Sequence, residues 1–261
     1  MNPIFLSASI QPPGIYTPSE AEPGTGSYDT DRFAIRECTL QLLGEVLRKP
    51  EAPERKESNP KPEAFDQRAV CFGGHPRISP FVLHAAESLG SIEQVEIYQA
   101  GYFEPDMPED HKRFQNFIWG DSRRWTKEAR DRLSEPERKA ARDESLAAMR
   151  SKMLGRWQCY CAGFFLGGKD GVEDEWDVFV REHPQALLFP VGSTGGAARY
   201  LWETKEHACL KSWQRSPLFH NRAEDLYASL GRNRSYRGVI LAAFDLINSS
   251  EFSAGRAKES C

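Results

Sequence analysis

The sequence predicts an α/β fold, a mostly parallel sheet flanked by helices, with a C-terminal helical extension. Three observations carry this. Short apolar runs alternate with helix-like stretches along most of the chain. Three of those runs close on glycine-bearing turns: Cys71-Phe72-Gly73-Gly74-His75, Phe164-Phe165-Leu166-Gly167-Gly168, and Phe189-Pro190-Val191-Gly192-Ser193-Thr194-Gly195-Gly196. A helix-like stretch follows each turn, as it must where a buried strand feeds a crossover helix.

Taken in order, residues 4–10 read as a first strand and 11–30 as a long Pro, Gly, Ser and Thr loop. Residues 31–48 have helical spacing, and 50–66, with four prolines and many charges, read as a solvated connector. Residues 68–72 form a second strand, 79–89 a helix, and 94–99 an alternating third strand. Residues 101–125 are irregular and aromatic-rich. Residues 126–155 are helical and highly charged, with Ser134-Glu-Pro-Glu marking a fresh helix start. Then come a strand at 160–166, a helix at 172–182, a strand at 186–191 and a helix at 195–211. The last fifty residues are helical with a polar tail, so the division is 1–211 for the ligand domain and 212–261 for the extension.

Composition narrows the function. Of 261 residues 28 % are charged, and the net charge is −4, which supplies no electrostatic footprint for nucleic acid. No apolar run reaches the length of a membrane span, and the N-terminus opens on strand-like Ile4-Phe5-Leu6 without a leader pattern. The six cysteines form no CxxC pair and no zinc spacing, so they read as reduced structural thiols of a cytoplasmic protein. No Gly-x-Ser-x-Gly elbow is present, which argues against a serine hydrolase.

The strand ends of such a sheet converge on one edge, where ligands bind. Glycines there let backbone N–H groups approach an anion, and helix starts add a positive dipole end. Gly73, Gly74, Gly167, Gly168, Gly195 and Gly196 are therefore candidate phosphate contacts. Ser193 and Thr194 can cap the next helix or donate to an anion. Arg199, a cation near a helix N-terminus, is opposed by the dipole unless an anion binds. Glu173 and Glu175 flank the apolar stripe Val172, Trp176, Phe179 and Val180, while Asp174 points to solvent. His75 and Gln99 sit at strand ends, and Ser7 and Ser9 share one face of the first strand. Arg150, just before the fourth strand, is placed to reach the cleft. Each has an ordinary alternative as a cap, a dipole partner or a solvated charge.

Four motifs in order resemble the SLOG superfamily, Rossmann-like domains related to the Smf/DprA proteins and the LOG phosphoribohydrolases. They are Phe5-Leu6-Ser7-Ala8-Ser9-Ile10, Gly73-Gly74-His75-Pro76, Gly167-Gly168-x-x-Gly171-Val172-x-x-Glu175 and Pro190-Val191-x-Ser193-Thr194-Gly195. The resemblance is closest to the prokaryotic group named for the N-terminal region of TRPM channels. It implies a sensor of nucleotide-derived ligands, NAD-derived or cyclic, serving antiphage defence beside a separate effector protein, and a homo-oligomer. No further cofactor is implied. The enzymatic branch carries Pro-Gly-Gly-x-Gly-Thr-x-x-Glu with an upstream Arg. Here Leu166 replaces the Pro, one extra residue precedes Gly171, and Val172 replaces the Thr, while Glu175 and Arg150 match the acid and the Arg. The leading expectation is a ligand-binding sensor. The alternatives are an N-glycosidase or phosphoribohydrolase using Glu175 and Arg150, and a scaffold that binds a partner through its C-terminal helices.

Overall fold

Six parallel strands make the central sheet. The computed structural model describes residues 3–10, 15–16, 28–48 and 68–259. In chain order the strands are β1 (Ile4–Ser9), β2 (Ile15–Tyr16), β3 (Tyr28–Asp29), β4 (Val70–Gly73), β5 (Val95–Gln99), β6 (Asn116–Trp119), β7 (Ala162–Gly167) and β8 (Leu187–Val191). The helices are α1 (Arg32–Val46), α2 (Ser79–Ser88), α3 (Lys127–Asp131), α4 (Glu135–Leu154), α5 (Asp170–Glu182), α6 (Gly196–Thr204), α7 (Glu206–Trp213), α8 (Phe219–Arg232) and α9 (Tyr236–Glu259). The sheet order is β6-β5-β4-β1-β7-β8, and β2 and β3 form a separate antiparallel ribbon.

This order sets the place of a ligand. From β1 the chain moves outward through β4, β5 and β6, then returns to lay β7 on the other side of β1, with Ser7 opposite Phe165 and Ser9 opposite Gly167. The crevice above β1 and β7 is therefore the switch point at which open α/β sheets bind ligands.

Side-chain alternation decides what faces that crevice. On β1, Phe5 stacks on Phe179 of α5 at 5.0 Å, so Ser7, two residues on, faces α5 too. On β7, Phe165 meets Trp176 of α5, while Phe164 turns to the opposite face and stacks with Phe189 and with Phe244 of α9. Helices α4 and α5 pack together on one side, and α1 packs on α2 and α9 on the other. Phe5, Phe164, Phe165, Phe179 and Phe189 are fully buried, each worth about 1.5–3 kcal/mol of transfer free energy.

Local signals explain most boundaries. The Asp31 carboxylate accepts from Ala34 N–H and starts α1. Ser134 and Glu137 form a capping box that starts α4, after the separate short helix α3. The predicted helix at 195–211 divides into α6 and α7 at Lys205. The aromatic stretch 101–125 contains a strand, β6, which the sequence reading missed; four half-buried residues on the sheet edge carry no strong period. The alternating run at 94–99 is buried on both faces, Glu96 and Gln99 included, because helices cover both sides of β5. The connector at 50–66 and most of the loop at 11–30 lie outside the described residues. Among the described residues no helix is long and apolar enough to cross a membrane. Leu226, Leu230, Val239, Ile240 and Ile247 of α8 and α9 join the same core as the sheet.

Candidate functional site

Ser7, Arg150 and Glu175 meet in the crevice above β1. The Ser7 hydroxyl donates to Glu175 Oε2 at 2.6 Å. Arg150, near the end of α4, places Nη1 2.9 Å from Asp174 Oδ2 and Nε 3.9 Å from Glu175 Oε1. The Arg150 and Glu175 side chains are only 12 % and 13 % exposed, so both charges sit largely out of water. A side chain at Gly73 would approach Glu175 Oε1 to 3.7 Å, and one at Gly171 would approach Arg150 Nη2 to 3.4 Å. Three segments far apart in sequence, β1, β4 and α4, thus converge on one carboxylate of α5.

Burial pushes the Glu175 carboxyl above its ordinary value, against the attraction of Arg150 and the Ser7 hydrogen bond, and Asp174 pushes it the same way as burial. Glu173, half-buried, is also raised by burial and by Asp177 and Asp174. Asp174, expected to point to solvent, is 57 % exposed and also pairs with Arg150. A tethered arginine beside a carboxylate with elevated proton affinity can hold a phosphate and a sugar hydroxyl together.

Two glycine turns frame the crevice and lock onto each other. Gly167 and Gly168 have φ of +57° and +79°, and a Cβ on Gly168 would fall 2.2 Å from Val172 Cγ2. Gly195 and Gly196 are also at positive φ. Gly168 N–H donates to Ser9 C=O at 3.1 Å, and Ala197 N–H donates to Gly168 C=O at 3.0 Å.

Several predicted contacts have internal partners. Thr194 is fully buried; its hydroxyl accepts from Gly167 N–H at 2.8 Å and donates to Val191 C=O at 2.6 Å. That ties the end of β7 to the end of β8 and uses the hydroxyl inside the protein. Arg199 needs no anion to relieve the helix dipole. It pairs with Glu203 at 2.6 Å, donates to Gly231 C=O at 2.8 Å and lies over the Trp202 ring. His75 Nδ1 accepts from Arg77 N–H at 3.2 Å, and its carbonyl receives Ser79 at the start of α2. Burial, with Arg77 and His111, lowers the His75 pKa to about 4, so its ring is neutral. The Gln99 carboxamide oxygen is buried with no hydrogen-bond partner among the described residues. Ser193 belongs to the wall of a different cavity.

One residue beside the site escaped the sequence reading. His111 is fully buried, and neither ring nitrogen has a partner among the described residues. A side chain at Gly74 would meet both Gln99 Oε1 and His111 Cε1. His111 lies in the irregular segment after β5, with no motif to single it out. Among the described residues no group of three or more His, Cys, Asp or Glu is placed to hold a metal ion.

Residues 64–222 match the family model of the SLOG cluster3 family, more than half of the chain. The chain belongs to this SLOG family. No curated protein matches it. The SLOG match takes in Gly73, Arg150, Glu175 and both paired-glycine turns, and it begins downstream of Ser7 and Ser9. Those two serines lie on β1, which pairs with β4 on one side and β7 on the other.

Proposed function

We propose that this SLOG protein is a sensor that binds a nucleotide-derived ligand over the carboxyl ends of β1 and β7. The observation that carries the reading is the convergence of Ser7 and Arg150 on the Glu175 carboxylate at the switch point. In this reading Arg150 meets a phosphate, displacing Asp174, and Glu175 accepts from ribose hydroxyls. Gly73 and Gly171, where a Cβ would stand 3.7 Å from Glu175 Oε1 and 3.4 Å from Arg150 Nη2, keep these two groups uncovered for a ligand. The resemblance to the TRPM-type group would make the ligand an NAD-derived or cyclic nucleotide signal. A separate effector protein, homo-oligomeric assembly and a cytoplasmic antiphage role belong to the same proposal.

A second reading has one observation in its favour. Glu175 combines raised proton affinity with an adjacent arginine, as an N-glycosidase needs. There the bond between the base and the anomeric carbon would break, water would add at that carbon, and the base would leave with a proton. The altered loop, with Val172 where the enzymatic motif has Thr, favours binding over turnover.

Thermal stability against NAD, ADP-ribose, cyclic ADP-ribose isomers and nucleoside monophosphates, followed by chromatography, separates the two. Binding at a hundred times the dissociation constant adds about 2.7 kcal/mol, a readily measured shift. A shift with intact ligand supports the sensor. Release of free base, abolished in Glu175→Gln, supports the glycosidase. No shift with any of these compounds overturns both.

A further inference from the structure

Helices α1, α2 and α9 form the layer opposite α4 and α5, and α1 packs on both of the others. Its buried positions, Ala34, Ile35, Cys38, Leu42 and Leu43 among them, turn to the sheet and to these neighbours. At about 3.6 residues per turn, the opposite face carries Phe33, Glu37, Leu40 and Gly44 in one line. Phe33 is 86 % exposed. A Cβ at Gly44 would meet nothing within 4 Å. The outward face of α1 thus offers a projecting ring and, three turns later, an open hollow.

The rest of the layer extends this face. Among the described residues the large apolar side chains that stay exposed are Phe33, Leu89 and Leu241, which belong to α1, the end of α2 and α9. The layer of α4 and α5 has none. Exposed apolar groups gathered on one face mark an interaction surface.

The ring and the hollow lie on one line of one helix, so this face is complementary to a second copy of itself. If two copies of α1 cross antiparallel about a two-fold axis midway between positions 33 and 44, each Phe33 ring falls on the partner's Gly44, and both fits are made at once. A parallel pair would set ring against ring and hollow against hollow.

Charge favours the same orientation. Helices α1 and α9 both start at the turn after β8, where Asp31 N–H donates to Thr194 C=O and the Tyr236 hydroxyl donates to Ser193 C=O. Helix α2 starts at the same sheet edge, after β4. Near that edge Arg32, Arg36, Arg77 and Arg237 are exposed, with no carboxylate within ion-pair distance among the described residues. Farther along, Glu87 of α2 and Asp245 of α9 are 37 % and 55 % exposed, each beside one arginine. Antiparallel crossing turns the basic edge of each copy toward these acids of the other.

We propose that the protein forms a two-fold dimer through the outward face of α1, with each Phe33 seated on the partner's Gly44. This gives the homo-oligomer of the sensor reading a surface, and it needs neither the Ser7, Arg150 and Glu175 crevice nor its ligand.

The test is sedimentation velocity of the full chain without nucleotide. The expected result is a monomer near about 1 µM and a dimer toward about 100 µM. Phe33→Ala should weaken association about tenfold or more. Gly44→Phe should weaken it as much, by setting ring against ring. Phe33→Ala combined with Gly44→Phe exchanges ring and hollow and should restore the dimer. All three should keep the wild-type circular dichroism, since Phe33 is exposed and Gly44 faces open space. A wild type that stays monomeric at the higher concentration overturns the proposal, while the thermal shift with nucleotides reads the crevice separately. A dimer that persists in both single variants lies on another face and overturns it too. A double variant as monomeric as Gly44→Phe would overturn the seating of Phe33 on Gly44.

Discussion

The Ser7 hydroxyl reaches Glu175 Oε2 at 2.6 Å across 168 residues of sequence. Ser7 is itself buried, so this bond joins the central strand to α5 inside the protein and orients the carboxylate that Arg150 approaches from α4. Replacing Ser7 with Ala removes a hydrogen bond to a largely buried charged group, worth about 1.5–3 kcal/mol. Urea unfolding at neutral pH should show a loss of that size. A variant as stable as the wild type would mean that Glu175 is held by other groups.

Glu175 imposes a pH dependence of known sign. Its folded carboxyl holds a proton more tightly than the ordinary value of 4.5, so the folded chain binds protons that the unfolded chain has released. Its favourable contribution is present at low pH and is lost as pH rises from about 4.5 through the folded value. Glu175→Gln should therefore be more stable than wild type at pH 7.5, by about 1 kcal/mol, with the gap closing toward pH 4.5. Greater wild-type stability at pH 7.5 would show that the attraction of Arg150 outweighs burial.

Histidines act in the opposite direction. Burial lowers His75 to about 4, and lowers His111 and His183 as well, so all three resist protonation in the folded state. The stability they contribute is complete above about 6.5 and is lost as pH falls through the range toward 4. His111→Phe should flatten the decline of melting temperature between pH 6.5 and 4.5, because both ring nitrogens lack a hydrogen bond among the described residues. An unchanged slope would exclude His111 as its source.

Two glycine-to-alanine substitutions should have opposite effects. At Gly195, with φ of +76°, a methyl would fall 1.8 Å from the Asp29 carbonyl oxygen, and the cost should reach about 2 kcal/mol or more. At Gly44, inside α1, a methyl meets nothing within 4 Å, and helix propensity should add about 0.5–1 kcal/mol. Denaturant midpoints of the two variants give the comparison directly.

Thiol labelling should follow burial. Cys38, Cys71 and Cys209 are buried and their thiols are pushed up by burial, whereas Cys159 is exposed. In the native protein iodoacetamide should modify Cys159 quickly and leave Cys38, Cys71 and Cys209 intact until denaturant is added, as peptide mapping would show.

Local patterns were enough to read the layered α/β architecture, five of the six sheet strands and SLOG membership. Apolar runs closed by glycine are local features, and a buried parallel strand needs little else to be recognised. It also placed Ser7 and Ser9 on one face, because strand alternation is local. Long-range packing settled which candidate residues have partners inside the protein. Thr194 became a clasp between β7 and β8, Arg199 a brace on α8, and Asp174 the partner of Arg150. Those outcomes depend on partners up to 32 residues away that no spacing rule connects. The same holds for β6, whose pairing with β5 defines it more than its own composition, and for His111, whose burial comes from the segments packed around it. Local sequence sets what a segment can become; long-range packing sets which of its polar groups remain available to a ligand.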